Sequence, residues 1–130
     1  LRERADRCQV PRVRATRSHP FGYPALPGNE HYERAQKYLP MGTSGVMSID
    51  IKGGRAPAMK FMDSLKLACN EVHVADIRTC VLHPASETHR QLTDEQLVAA
   101  GIEPGMVRIS VGLENVEDII ADLKQALDQI

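Results

Sequence analysis

Residues 107–115 read Val-Arg-Ile-Ser-Val-Gly-Leu-Glu-Asn, and this stretch is the strongest guide to the fold. Val107, Ile109 and Val111 occupy every second position, which predicts a short strand with one apolar face. Arg108 then lies in the middle of the opposite face. A guanidinium in that place is either solvated or binds a planar anion, such as a carboxylate, through two parallel hydrogen bonds.

Helical and strand patterns follow one another along the chain in the order helix, strand, helix, two strands, helix, strand, helix. The strands have a period of two, and the helices carry single apolar stripes. This combination predicts an α+β fold of two layers, with helices on one face of a small, mainly antiparallel sheet. The elements predicted before the quoted stretch are a helix at 29–39, a strand at 45–52, a helix that includes 58–69, strands at 71–74 and 78–82, and a helix at 93–101.

Three helices have start signals in the sequence. Asn29 is the predicted cap of the first helix, and Thr93 with Gln96 three residues later forms a capping box. Asn115 is the predicted cap of the last helix, whose apolar stripe faces the core. The charged residues expected on the solvent side of that helix are Glu117, Asp118, Asp122 and Lys124.

The composition is that of one soluble globular domain. The chain has 130 residues, of which 42% are hydrophobic and 25% charged, and its net charge is -1. This charge argues against general nucleic-acid binding, and no apolar run approaches the length that spans a membrane. The three cysteines have no metal-ligand spacing, so they are expected to be reduced thiols in a cytoplasmic protein.

The first 20 residues carry six arginines around Pro11. They form either a basic arm for nucleic acid or a solvated, poorly ordered terminus, and the second interpretation is favoured because Pro11 interrupts any helix. The chain starts at Leu1 and not at Met, which is consistent with a piece of a longer protein. Residues 1–22 are therefore treated as an atypical basic N-terminal segment.

No complete catalytic apparatus is visible in the sequence. His83, Glu87 and His89 lie in one proline-containing loop, but their spacing matches no strong metal-ligand pattern. Ser86 is expected to hydrogen-bond within its own loop, and no Gly-x-Ser-x-Gly elbow is present. Residues 42–45 lack the length and the lysine of a phosphate-binding loop. The chain therefore has the character of a substrate-contacting domain, with no predicted catalytic or metal-binding residues.

Several motifs occur together in a specific order: Tyr23-Pro24, Leu26-Pro27, Lys37-Tyr38-Leu39-Pro40, Lys52-Gly53-Gly54, His83-Pro84-Ala85-Ser86 with Thr88-His89, and residues 108–114. Together they resemble the C-terminal domain of the Cys/Met-metabolism family of pyridoxal-phosphate (PLP) enzymes, which have fold type I. This family includes O-acetylhomoserine sulfhydrylases, methionine gamma-lyases and the cystathionine synthases and lyases. The resemblance covers residues 23–130, which it implies are a substrate domain of a PLP enzyme.

The resemblance also implies a substrate-binding site. Arg108 matches the arginine that binds the α-carboxylate of the substrate. His73 and Ala75 stand where family members usually carry Ser or Asn and a glycine, so His73 either contacts substrate or is packed or solvated. Val72 stands where cystathionine-handling members tend to carry an acid, which favours a sulfhydrylase or a methionine gamma-lyase. The substrate-binding residues implied by the resemblance are Arg108, His73 and Val72.

The implied activity is that of an O-acetylhomoserine (or O-acetylserine) sulfhydrylase of methionine and cysteine biosynthesis. The family's Schiff-base lysine and phosphate-binding residues lie in an upstream domain that this sequence does not contain. Lys52, Lys60 and Lys66 do not match that lysine's motif, so no residue of this chain is expected to bind the cofactor. The isolated chain is expected to be inactive, and the complete enzyme to be a homotetramer acting on an amino acid.

Three further alternatives stay open at this stage. The enzyme could be a methionine gamma-lyase or a cystathionine gamma-synthase or lyase. The chain could also be a non-catalytic remnant or interaction domain that retains the fold. Residues 8–20 do not resemble the long helix that the family has there, and a shifted reading frame is one explanation for this difference.

Overall fold

The computed structural model describes residues 22–130. The basic N-terminal segment of residues 1–22 therefore lies outside the described residues, except for Gly22. Within the described residues, the helices and strands follow one another in the predicted order. They are α1 (Tyr32–Tyr38), β1 (Val46–Asp50), α2 (Arg55–Ser64), β2 (Cys69–Asn70), β3 (Cys80–Leu82), α3 (Asp94–Ala99), β4 (Met106–Ser110) and α4 (Val116–Leu127).

The four strands form one sheet in the order β1-β4-β3-β2. Strand β4 is central and pairs antiparallel with both β1 and β3, whereas β2 pairs parallel with β3. The predicted α+β class and mainly antiparallel sheet are therefore confirmed. The parallel pairing of the two-residue edge strand β2 was not predicted from the sequence.

The inner face of the sheet carries the core. Met47 pairs with Ile109, Ile49 pairs with Val107, and Val81 also pairs with Ile109, so these side chains lie on one face. Helices α2 and α4 pack against it, and the core is aliphatic except for two aromatic rings. The helical and aromatic residues of this core are Tyr23, Ala58, Phe61, Met62, Ile119, Leu123 and Ala126.

The outer face carries a mixture of polar, sulfur-containing and apolar side chains in two rows. One row runs across Ser48, Arg108 and Leu82, and the other includes Ser110 and Cys80. The loop of residues 71–79 hydrogen-bonds to this face, where the backbone N–H of Ala75 donates to Oγ of Ser110 over 3.0 Å.

Two predicted element boundaries were wrong. Helix α2 ends at Ser64, so Leu65 and Cys69 do not continue its apolar stripe, and Leu65 has an extended backbone. The first of the two adjacent strands was predicted at 71–74 but lies earlier, at Cys69–Asn70, because pairing with β3 ends where the N–H of Glu71 donates to the carbonyl of Val81. The apolar-polar alternation of residues 71–74 therefore belongs to a loop.

Asp122 and Asn29 also differ from their predicted roles. Asp122 is only 6% exposed and does not lie on the solvent side of α4. Asn29 does not cap α1; its side chain accepts a hydrogen bond from the N–H of His31 in the turn before the helix. The capping box of Thr93 and Gln96 and the Asn115 cap are both present as predicted.

Within residues 22–130, no helix combines the length and the apolar character needed to cross a membrane.

Candidate functional site

Arg108 lies at the centre of the outer face of β4, where its guanidinium reaches the 71–79 loop. Its Nη2 donates to the carbonyl oxygen of Val72 over 2.7 Å and to that of His73 over 3.3 Å. Its Nε is buried and has no hydrogen-bond partner in the structure, whose described part covers residues 22–130. A buried N–H of a charged group without an acceptor costs free energy, so this atom requires an explanation.

The structure brings together all three residues predicted to bind substrate, but it does so through the backbone of two of them. Val72 and His73 contact Arg108 through their carbonyl oxygens. The Val72 side chain is 57% exposed. The Nδ1 atom of His73 lies 2.8 Å from Oε2 of Glu71 and 3.5 Å from Oδ2 of Asp76. Contact of these two side chains with substrate stays a prediction.

Arg78 holds the 71–79 loop in shape, a role that the sequence interpretation missed. Its guanidinium donates to both carboxylate oxygens of Glu71, over 3.0 and 2.9 Å, and more weakly to Asp76. The backbone N–H and then the guanidinium of Arg78 hold the pKa of Asp76 below its ordinary value. The Asp76-x-Arg78 pair was the available signal, because an aspartate commonly accepts a hydrogen bond from the N–H two residues later.

Glu71, Asp76 and Cys80 place their ligand-type atoms within 4.8 Å of one another. The guanidinium of Arg78 already binds both carboxylates and supplies their positive charge. Burial, followed by the charges of Asp76 and Glu71, raises the pKa of the Cys80 thiol, which opposes the thiolate that a metal requires. These groups therefore form an ion-pair network, and nothing in this geometry favours a metal.

His83 has a structural role in its loop. Its Nε2 lies 2.8 Å from the carbonyl oxygen of Pro104, which can only accept, so Nε2 carries a proton. Its Nδ1 lies 2.8 Å from Oγ of Ser86, and both ring nitrogens are therefore engaged. Ser86 binds within its own loop, as predicted. His89 instead lies beside Thr88, with 2.9 Å between Nδ1 and Oγ1.

Gly112 and Glu114, from the stretch that opened the sequence interpretation, fasten the end of the 71–79 loop. The carboxylate of Glu114 accepts from the backbone N–H and the hydroxyl of Thr79, over 2.6 and 2.9 Å. The N–H of Gly112 donates to the same hydroxyl over 3.0 Å. A Cβ at position 112 would lie 2.3 Å from the carbonyl carbon of Arg78, so only glycine fits. Residues 108–114 thus provide both Arg108 and the anchor of the loop that contacts it.

The similarity to known proteins agrees with this arrangement. A family model described as Cys/Met metabolism PLP-dependent enzyme matches residues 15–128. The chain belongs to this family. It is 49% identical over 105 residues to O-acetyl-L-homoserine sulfhydrylase 1 of Thermus thermophilus, a match that covers 81% of this chain and 25% of that protein. It is 44% identical over 108 residues to the L-methionine gamma-lyase of Porphyromonas gingivalis, covering 83% of this chain and 27% of that protein.

A solved structure shares the fold. The crystal structure of an O-acetylhomoserine (thiol)-lyase of Campylobacter jejuni, which contains N'-pyridoxyl-lysine-5'-monophosphate, matches with a TM-score of 0.76 and 34% identity. The match covers 98% of this chain and 29% of that one. The chain spans about a quarter of the length of the curated relatives it matches.

The sequence predicts that no lysine of this chain anchors the PLP cofactor. A lysine that binds the cofactor aldehyde must lie in an enclosed site beside it. The five lysines within residues 22–130 are all exposed: Lys37, Lys52, Lys60, Lys66 and Lys124. We expect the purified 130-residue chain mixed with PLP to give no stoichiometric absorbance band that borohydride fixes to one lysine. The absence of cofactor-binding residues from this chain stays a prediction.

Proposed function

We propose that residues 23–130 form the C-terminal substrate domain of a PLP-dependent O-acetylhomoserine sulfhydrylase-like enzyme. In this proposal Arg108 binds the α-carboxylate of the amino-acid substrate. The identity of 42–49% to sulfhydrylases and homocysteine synthases over most of the chain supports the activity. Val72, in place of an acid, supports the same choice over the enzymes that handle cystathionine.

The main support for a substrate-binding role of Arg108 is that its guanidinium lacks a full set of hydrogen-bond acceptors. Within residues 22–130, its guanidinium contacts two backbone carbonyls and no carboxylate, and Nε has no acceptor. In the 71–79 loop that Arg108 contacts, by contrast, Arg78 is bound by two carboxylates. A substrate carboxylate would supply Arg108 with acceptors of full charge in the planar geometry that a guanidinium matches.

In this proposal Val72 and His73 contribute to substrate binding by positioning the guanidinium of Arg108. Their carbonyls hold Nη2 and so restrict the plane of the guanidinium before substrate arrives, which lowers the entropy lost on binding. A substrate held at its α-carboxylate has a defined direction for its γ carbon, where acetate leaves and sulfide enters. In the complete enzyme the cofactor supplies the electron sink for this replacement.

The proposal is tested by substituting Arg108 in the complete enzyme that carries this domain. Arg108→Ala is expected to lower kcat/KM for O-acetylhomoserine by about a hundredfold, because a charge-assisted pair away from bulk water contributes a few kcal/mol. Arg108→Lys should recover only part of this loss, because a point charge cannot make the two-pronged contact. Arg90→Ala is the matched control, since Arg90 is an exposed arginine that is not assigned to the substrate site.

The absorbance of the bound cofactor should be unchanged in the Arg108→Ala enzyme, because Arg108 is assigned to the substrate. Unaltered kinetics in this variant would contradict the substrate role. Loss of cofactor together with activity would instead indicate a structural role for Arg108.

Methionine gamma-lyase is the second candidate, supported by the 44% identity to two such enzymes. The two activities separate in one assay of the complete enzyme. A sulfhydrylase forms homocysteine from O-acetylhomoserine and sulfide, whereas a gamma-lyase releases a thiol from methionine without a second substrate. Faster turnover of methionine alone would favour the lyase.

We further propose that the complete enzyme is a cytoplasmic homotetramer. The resemblance to the family supports the assembly, and the free thiols of Cys69 and Cys80 fit a reducing compartment. Light scattering of the complete enzyme tests the tetramer. Reading the coding sequence ahead of Leu1 tests the domain assignment: an open frame encoding a lysine-bearing cofactor domain supports the enzyme. A stop codon there would favour a non-catalytic remnant.

A further inference from the structure

Cys69 and Cys80 are direct neighbours across the parallel pair of strands β2 and β3. Residues in register on adjacent strands present their side chains on the same face, so both thiols lie on the outer face of the sheet. Their sulfurs are also oriented alike. Sγ of Cys69 faces the carbonyl oxygen of Leu67 at 3.9 Å, and Sγ of Cys80 faces that of Arg78 at 3.5 Å, in each case two residues earlier.

This arrangement fits the geometry of a disulfide. Adjacent strands lie about 4.8 Å apart, and the Cα atoms of disulfide-bonded cysteines are about 4.4–6.8 Å apart. Because the two side chains leave parallel strands in the same direction, rotation about their χ1 angles can bring the sulfurs together without a change of register. The backbone bonds from the N–H of Cys69 to Thr79 and from that of Glu71 to Val81 hold this register on both sides.

We propose that Cys69 and Cys80 are an oxidative modification site that forms an intrachain disulfide with hydrogen peroxide as oxidant. The thiolate of Cys69 attacks one oxygen of hydrogen peroxide, and the O–O bond breaks. Cys69 becomes a sulfenic acid, and the departing hydroxide takes up the proton that the Cys69 thiol released and leaves as one water. The sulfur of Cys80 then attacks the sulfenic sulfur, the S–S bond forms, and the hydroxyl leaves with the remaining thiol proton as a second water. The two sulfurs lose two electrons, and one peroxide is reduced to two waters.

The two cysteines differ in exposure, and this difference indicates which of them reacts first. Cys69 is partly exposed on the edge strand, so it is the thiol that a peroxide reaches. Cys80 is fully buried, and its burial together with the carboxylates of Asp76 and Glu71 raises the pKa of its thiol. A buried, protonated thiol reacts slowly with a peroxide from solvent, but it lies in place to resolve a sulfenic acid on its neighbour.

The disulfide would join the two ends of the loop whose carbonyls hold Arg108. Residues 71–79 leave β2 just after Cys69 and return to β3 at Cys80. A covalent link between these ends limits the excursions of Val72 and His73 relative to Arg108. The consequence for substrate rests on the proposed function, but formation of the disulfide does not.

Peptide mapping of the full chain tests the site directly. The folded chain is treated with hydrogen peroxide, its remaining thiols are alkylated, and it is digested with trypsin without reduction. Cleavage after Lys66, Arg78 and Arg90 places Cys69 in peptide 67–78 and Cys80 in peptide 79–90, while Cys8 falls in peptide 8–12. We expect peptides 67–78 and 79–90 to be linked, with a mass two hydrogens below their sum, and to separate after reduction.

Cys69→Ser is the matched control and should abolish the linked peptide without joining Cys80 to Cys8. Cys8→Ser should leave the linked peptide unchanged. Linkage through Cys8, sulfinic acid on Cys69 beside a free Cys80, or two thiols that stay free after oxidation would each overturn the proposal.

Hydrogen exchange tests the coupling to the loop. In the oxidised chain the amides of residues 71–79 should exchange several-fold more slowly than in the reduced chain, while those of α4 should not change. Equal rates in the two states would overturn the coupling. No substrate enters either experiment, so their failure is distinguishable from failure of the proposed function.

Discussion

The two segments that flank strand β2 are held in opposite ways. Residues 66–68, before the strand, donate three backbone N–H groups to the buried carboxylate of Asp122, over 2.8, 2.9 and 2.9 Å. Residues 71–79, after the strand, contain the exposed ion pairs of Arg78 with Glu71 and Asp76, in addition to their hydrogen bonds with Ser110 and Glu114. The first segment is fixed to the core helix α4 by a buried carboxylate, whereas exposed ion pairs provide part of the hold on the second segment.

The difference separates scaffold from site. A buried carboxylate that accepts several backbone hydrogen bonds is costly to disturb, because any group left behind is unsatisfied. Exposed ion pairs contribute little to stability and are screened by salt. The loop that contacts Arg108 is therefore the part of this face that can adjust to a ligand at low cost, while the segment before it stays fixed.

The largest effect is expected where the buried contact is broken. Asp122→Asn should lower the free energy of unfolding by about 2–3 kcal/mol, because the amide removes the charge and presents an NH₂ group to backbone donors. Denaturant unfolding measures the change. Asp63→Asn is the control, since Asp63 is exposed at the end of α2 and should change stability by less than about 0.5 kcal/mol. Equal effects of the two substitutions would contradict the role given to Asp122.

Acid should remove the same contribution. Burial alone would raise the pKa of Asp122, but the N–H groups of residues 66–68 and the Gln125 amide outweigh it and place the pKa below its ordinary value of 3.8. A lowered folded-state pKa stabilises the fold above the unfolded value, and this contribution is lost as pH falls through the folded-state pKa. The stability difference between wild type and Asp122→Asn should therefore be constant at neutral pH and shrink below about pH 4. A difference that grows in acid would contradict this assignment.

Much of the fold could be predicted from local sequence patterns. The order of elements, the central Arg108 strand and the Thr93 capping box depend on periodicity and on neighbours three residues apart, and they were predicted. The Asp122 clamp was missed because its partners lie more than 50 positions away in sequence. Without knowledge of these distant partners, an aspartate in a helix is predicted to face solvent.

The same reason explains the errors around β2. Residues 71–74 alternate like a strand, but the turn at Ala75 and the ion pairs of Arg78 make them a loop. The departure at Ala75 was visible in the sequence, because the resemblance to the family implies that a glycine is usual at this position. The contact of Arg108 with the backbone of Val72 and His73 required the structure, since sequence patterns do not locate carbonyl groups.

Relief of strain in the adjustable loop should give a smaller effect of opposite sign. Ala75 has a φ of 62°, and it is the only residue other than glycine with a positive φ in the described part of the chain. Ala75→Gly should raise the free energy of unfolding by up to about 1 kcal/mol, because glycine adopts this conformation without a Cβ penalty. Ala121→Gly, on the exposed side of α4, should lower it by about 1 kcal/mol. Thermal unfolding of the two variants gives the comparison, and a loss of stability in both would show that Ala75 is not strained.

The smallest change in stability is expected from Arg78→Gln. This substitution is also the sharpest test of the difference between the fixed segment 66–68 and the adjustable loop 71–79. The ion pairs of Arg78 are exposed, so its loss should move the unfolding midpoint less than Ala75→Gly does. The loop should nevertheless open more often, because Glu71 and Asp76 lose the group that links them, and hydrogen exchange of residues 71–79 should accelerate. High salt should reproduce this acceleration in the wild type and leave the variant almost unchanged, because the salt screens the same ion pairs. Arg90→Gln provides the control, since it removes an exposed arginine without breaking an ion pair within residues 22–130. If Arg78→Gln destabilised the whole chain as much as Asp122→Asn, the loop would be part of the scaffold, and the division between fixed and adjustable segments would be wrong.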